Sequence, residues 1–246
     1  MSKYFAGVLI LIAGALFFMY FEIGVPKIYS LGDLKHPTPH LYGDASRPIG
    51  EIKITAIYFV PKNKTGFMIP DWLEKFEENL KKAVAFYNLQ LRNRVKISYA
   101  IYPDPVVGLE NNIFYDTDVT QHGNPEALRR ITKELESRAL FTESNAGPAS
   151  PSQGGPYAVL AIMYEGVGAS GGGHTAFVSR VFLADPRYKS IGASVLAHEI
   201  FHTLGVPDAY DPITAAPTSP DIMGVGQNGP IERTYLESAA LKELGI

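Results

Sequence analysis

The chain has 246 residues, 46% of them hydrophobic, and a formal net charge of −3, which is enough for one good-sized domain with room for an appendage. So small a charge, with no Arg/Lys run interleaved with aromatics, gives no footing to a nucleic-acid partner. Cysteine is absent, which excludes disulfides, thiolate metal ligands and a cysteine nucleophile, so a bound metal would have to take His, Asp or Glu.

After Lys3 comes YFAGVLILIAGALFFMYF, an uncharged run of about eighteen residues, at the lower edge of what spans a bilayer as a helix. The run ends in aromatic residues and Glu22, without the short apolar core and small-x-small site of a cleaved signal peptide. The expectation is a single-pass signal anchor over 4–23 with a cytoplasmic stub of 1–3. The remainder then lies outside the cytoplasm, because flanking positive charge stays inside. Lys27 and Lys35 on the far flank argue against that orientation, and secretion after cleavage is the alternative. Residues 24–50 repeat Pro and Gly with no apolar period and read as an extended linker, with His36 and His40 as solvated loop histidines.

A folded domain is expected over 51–246. EIKITAIYFV (51–60) alternates as a strand does. Leu73, Phe76, Leu80, Ala83, Tyr87 and Leu91 recur at helical spacing, with Asp71 and Glu74 as a capping pair and Glu77–Lys81 and Glu78–Lys82 supporting the exposed face. RVKISYAIY (94–102) reads as a second strand. Residues 103–155 read as an insertion containing a helix capped by Asn124, with Pro125 at its first position and Leu128, Ile131, Leu135 and Leu140 along one face. Asp116 and Asp118 there read as turn aspartates, and Asn63-Lys-Thr65 matches a glycosylation sequon. PYAVLAIMYEG (156–166) is a continuous apolar run typical of a strand buried on both faces. A glycine-rich loop, a strand near 175–184 and a helix over SIGASVLAHEIFHTLG follow, the helix capped by Ser190 or Ser194 and stopped by Gly205. The C-terminus reads as irregular chain and a last helix from about Tyr235. This order gives an α+β chain with an α/β-like N-terminal subdomain.

The chemistry concentrates in HEIFHTLGVPD, 198–208. Residues four apart share a helix face, so His198 and His202 can offer two imidazole nitrogens to one ion. Glu199, offset by about 100° around the axis, can reach water at the ion without ligating it. Catalytic zinc takes three protein ligands and keeps an open position. Gly205 can adopt a left-handed conformation and turn the chain back, which brings Asp208 round as the third ligand. Asp211 and Glu237 are the rival carboxylates, and Gly205 has no purpose in the Glu237 arrangement.

The spacing HExxHxxGxxD, followed by Met223 in DIMG, resembles the metzincin clan of zinc peptidases, and LGVPDAYD is similar to the aspartate-bearing site of snapalysin-type and immune-inhibitor-A-type peptidases. The resemblance is close from the site helix through Met223 and loose in element order from residue 51. It implies a twisted mixed sheet with a backing helix, an active-site helix and a small irregular C-terminal subdomain ending in a helix. It also implies Zn²⁺, a protein or peptide substrate, Glu199 as catalytic base, Met223 in a turn under the metal, and the strand near 175–182 as the upper edge of the cleft. Many of those peptidases carry an oxyanion-assisting tyrosine two residues after that methionine. Here the position is Val225, leaving Tyr210 and Tyr235 as candidates, and His174 as a cleft-lining possibility. The reading is a membrane-anchored zinc endopeptidase. A zinc amidase acting on cell-wall peptides and a non-catalytic tethered binding domain are the alternatives.

Overall fold

A computed structural model describes residues 38–115, 125–138, 156–211, 213–214 and 216–246. The stub at 1–3, the anchor at 4–23, His36 and the linker as far as residue 37 lie outside the described residues, as do Asp116, Asp118, Asn124 and Leu140. Among the described residues no helix is long and apolar enough to cross a membrane.

The second half of the expected linker is folded. Strands β1 (His40–Leu41) and β2 (Asp44–Pro48) pair antiparallel, and Leu41 and Ile49 are buried. The Tyr42 amide donates to the Leu204 carbonyl at 3.0 Å and the His40 amide to the Leu244 carbonyl at 3.0 Å. His40 is therefore part of a strand, not a free loop histidine. Two isolated apolar residues in a Pro/Gly-rich stretch show no period, because their partners lie far along the chain.

The main sheet is built on β3 (Glu51–Val60) and β6 (Tyr157–Tyr164), flanked by β4 (Lys96–Ile101) and β8 (Thr175–Ser179); all pair parallel, in the order β4-β3-β6-β8. A short β5 (Val106–Val107) pairs with the end of β3 beyond β4. The edge beyond β8 is β7 (Ala169–Gly172), antiparallel to it. The result is the expected α+β class: a twisted, mostly parallel sheet with helices.

Strand parity sorts the core into two layers. Ile52, Ile54, Ala56 and Tyr58 of β3, with Val159, Ala161 and Met163 of β6, belong to the larger cluster. That cluster includes residues of α1 (Trp72–Gln90) and of a helix over Gly192–Thr203. Ile57 and Phe59, with Leu160, Ile162 and Tyr164, meet Tyr115 of α2 (Asn112–Tyr115) and Leu128, Ile131 and Leu135 of α3 (Pro125–Ser137). The described parts of 103–155 thus close the second face of the sheet. They form a layer of the core.

Smaller departures have local causes. Trp72, not Leu73, enters the core, tilted on Tyr58 with ring centroids 5.3 Å apart. Asp71 makes no capping hydrogen bond and pairs with Lys75 at 3.0 Å, while the Glu77–Lys81 and Glu78–Lys82 pairs form. Asn63 of the sequon donates to Asn112 Oδ1 at 2.5 Å. The strand expected to 184 stops at Ser179, whose Oγ accepts from the Val181 amide and caps α4 (Arg180–Ala184). The helix Gly192–Thr203, α5, is not capped by either serine; Ser194 instead donates to the Gly229 carbonyl at 2.6 Å. The last helix, α6 (Ser238–Glu243), starts after Tyr235, and the Glu237 amide before it donates to Asp221.

If α3 is a core layer, Ile131→Ala should cost about 2–5 kcal/mol, the range for emptying a buried aliphatic site. Denaturant unfolding checks this: a change of under about 0.5 kcal/mol, as for an exposed substitution, would restore the appendage reading.

Candidate metal centre

α5 carries its ligand face because Leu196, Ile200 and Phe201 bury the rest of the helix in the core. His198 and His202 project from one side with their Nε2 atoms 3.0 Å apart and ring planes at 87°. Each ring is turned by a backbone carbonyl on its other nitrogen. His198 Nδ1 lies 2.9 Å from the Ile222 oxygen, and His202 Nδ1 lies 2.8 Å from the Val206 oxygen. A carbonyl can only accept, so neutral imidazoles here carry the proton on Nδ1 and present the Nε2 lone pairs to a common point.

The helix then stops as the glycine demands. Gly205 has φ +89°; its amide donates to the His202 carbonyl at 3.0 Å and the Val206 amide to the Phe201 carbonyl at 3.2 Å, the paired closure of a left-handed C-terminal cap. The chain reverses through Pro207 and delivers Asp208 Oδ1 to 3.3 Å from both Nε2 atoms. His198, His202 and Asp208 form a group that can hold a metal ion. In a tetrahedral shell with bonds of about 2.0–2.1 Å, ligand atoms stand about 3.3 Å apart; the observed edges of 3.0, 3.3 and 3.3 Å fit zinc. Burial works against ionisation of Asp208, but hydrogen bonds and attraction from both histidines outweigh it and hold the carboxyl well below its ordinary range.

Glu199 stands beside this group without belonging to it. It is buried, and that burial pushes its carboxyl up to about 7, against the pull of the two histidines. Over it runs β7. A Cβ on Gly171 would stand 2.1 Å from the Glu199 carbonyl oxygen and 2.9 Å from His202 Cβ, so the close approach of strand to helix requires glycine. The cleft beside the centre, about 550 Å³, is lined by Gly168–Gly171, Pro207, Tyr210, Gln227 and Asn228, together with Phe182 and Val195.

This corrects the cleft edge expected from sequence. β8 is an interior strand, and the edge strand is β7, hidden in what read as a glycine-rich loop. Met223 is buried, its amide held by Asp221 Oδ1 and its carbonyl accepting from the Ala209 amide. Tyr210 lines the cleft and its hydroxyl oxygen accepts from Gln227 Nε2. Tyr235 is exposed and outside the cleft lining. His174 stacks on Tyr157, bonds to the Ala158 carbonyl and does not line the cleft. Asp211 accepts from the Ile213 and Thr214 amides, and Glu237 from the Ser219 hydroxyl; neither joins the ligand group. Sequence reasoning passed over Gln227, for which no local signal exists, and Asp221, whose side chain accepting two residues on is a legible turn habit of aspartate.

Neither a scan against protein-family models nor a search of curated proteins finds a match. Among solved structures the chain is similar to a catalytically inactive OgpA from Akkermansia muciniphila in complex with an O-glycopeptide (glycodrosocin) substrate. The identity is 14% and the TM-score 0.42, over 91% of this chain and 66% of that one. At that distance the functional reading has to rest on this chain's own residues.

An amide is a much poorer zinc ligand than a carboxylate of the same shape. Asp208→Asn should lower zinc affinity by about tenfold or more, the scale seen when a coordination shell is disturbed, while Asp211→Asn and Glu237→Gln leave it unchanged. Competition with a chromophoric chelator measures this, and release of the metal by Glu237→Gln alone would move the third ligand to the last helix.

Proposed function

We propose that the chain is a zinc-dependent endopeptidase of metzincin type. The observation that carries the reading is the convergence of three ligating atoms at tetrahedral spacing beside a buried carboxyl that is not one of them. Zinc held by His198, His202 and Asp208 would supply Lewis acidity, polarising a carbonyl oxygen and bringing the pKa of water towards neutrality.

The chain's own groups account for the other requirements of peptide hydrolysis. Glu199, buried beside the ligand group and not part of it, takes a proton from the attacking water and returns it to the departing amine. Among the described residues β7 is the end strand of the sheet, an edge that can receive an extended peptide, and antiparallel addition is the stronger pairing. β7 runs from Ala169, paired with Val178 just before α4, towards Gly171 over Glu199 and His202. An antiparallel peptide therefore directs the residues after its scissile bond towards the Ala169 end of β7, where α4 begins. Gln227 donates to the Tyr210 oxygen, so the Tyr210 proton is free to meet an oxyanion in the cleft. With the run at 4–23 as an anchor, the domain works outside the cytoplasm at a membrane surface. A binding domain that only kept the fold would have no use for a buried Glu199 carboxyl beside the ligand group.

Glu199→Gln should keep one zinc per chain and lower peptide hydrolysis by at least about a hundredfold, the usual worth of a general base. Metal analysis and turnover on a peptide mixture are measured side by side. Turnover within tenfold of the parent would rule out Glu199 as base, and activity confined to cell-wall peptides would shift the assignment to an amidase.

A further inference from the structure

Asp221 is buried at 2% exposure and every polar atom it owns is committed. Its backbone amide donates to Ser219 Oγ at 3.2 Å, and its carbonyl accepts from the Gly224 and Gly226 amides at 3.1 and 2.8 Å. One carboxylate oxygen accepts from the Met223 amide at 2.9 Å and the other from the Glu237 amide at 3.1 Å. A buried carboxylate tolerates desolvation only when such donors surround it. The question is what this dense knot holds in place.

The dipeptide it fixes, Ile222–Met223, reaches two of the three candidate ligands. The Ile222 carbonyl orients His198 through Nδ1. The Met223 carbonyl accepts from Ala209 at 2.9 Å, which holds the chain one residue beyond Asp208. His202 hangs on Val206, in the cap of its own helix, and owes nothing to this turn. We propose that Asp221 is the positioning residue of the centre: by fixing the Met223 amide, its carboxylate sets the carbonyl that orients His198 and the strut that holds Asp208. This rests on the zinc reading for its consequence, and on the apo fold for its mechanism.

The remaining bonds of the knot do a separable job. Ser219 donates to Glu237 and accepts from the Asp221 amide, tying the turn to the start of α6 without touching Met223. Removing that hydroxyl loosens the subdomain and leaves the Met223 amide held. Asparagine at 221 has one acceptor for two amides: its oxygen faces Met223 in one rotamer and Glu237 in the other, so the Met223 amide is held for only part of the time.

The test compares the full chain with Asp221→Asn, Asp221→Ser and Ser219→Ala. Zinc affinity is read by chelator competition, and imidazole tautomers of the metal-free protein by long-range ¹⁵N correlation above the histidine titration range. Asp221→Asn should lower zinc affinity by about tenfold or more and move His198 from the Nδ1–H tautomer towards a mixture, with His202 unchanged. Asp221→Ser, whose hydroxyl can still accept from Met223 more weakly, should fall between, and it decides the matter if the asparagine variant does not fold. Ser219→Ala should lower the thermal midpoint while affinity and both tautomers stay at parental values. Parental affinity and tautomers in the folded 221 variants would overturn the proposal, as would a His202 change equal to that of His198, or an affinity loss in Ser219→Ala matching Asp221→Asn. A parent that takes up no zinc would sink the peptidase reading alone, because the tautomer comparison needs no metal.

Discussion

The backbone at Gly205 is the constraint on which the centre depends. A helix that continued would carry residue 208 away from the two histidines; a left-handed residue ends α5 within one turn of His202 and reverses the chain. An L side chain in that conformation costs about 1–2 kcal/mol, and the space is shared with Tyr42, whose Cβ would stand 3.4 Å from a Cβ at 205. The same closure sets the Val206 carbonyl on His202 and the Asp208 carboxylate between the rings. One dihedral choice thus brings Asp208 to the candidate centre and orients His202 within it.

Holding that turn requires a rigid helix, and rigidity comes from burial on several sides. α5 is packed against the sheet and α1, with Tyr87 donating to the Ala197 carbonyl at 2.6 Å and stacking on Phe201. The hairpin β1–β2 closes over its C-terminal end, and β7 crosses it at Gly171. This enclosure keeps Glu199 out of water, so its proton affinity rises towards neutrality. The packing that positions the candidate ligands and the desolvation that raises the Glu199 carboxyl are therefore one feature of the fold.

What the sequence disclosed follows from the range of the interactions. His198, Glu199 and His202 are legible because i, i+4 geometry is local to a helix, and Asp208 because glycine's freedom at 205 is local too. β3, α1 and β6 were legible from periodicity and apolar runs. The hairpin at 40–48 was not, since Leu41 and Ile49 find their partners in the core formed by later elements. β7 was hidden because its four residues contribute no apolar alternation and owe their place to an approach to α5 that only glycine permits. The layer formed by α2 and α3 was legible only in part: Ile131 declares a helix face, but not the side of the sheet it covers.

X-ray absorption spectroscopy of the zinc-loaded chain reads the coordination shell itself. The expected shell is two imidazole rings plus oxygen donors, four-coordinate, at about 2.0–2.1 Å. A shell of oxygens alone, or a single imidazole, would contradict the arrangement of His198, His202 and Asp208.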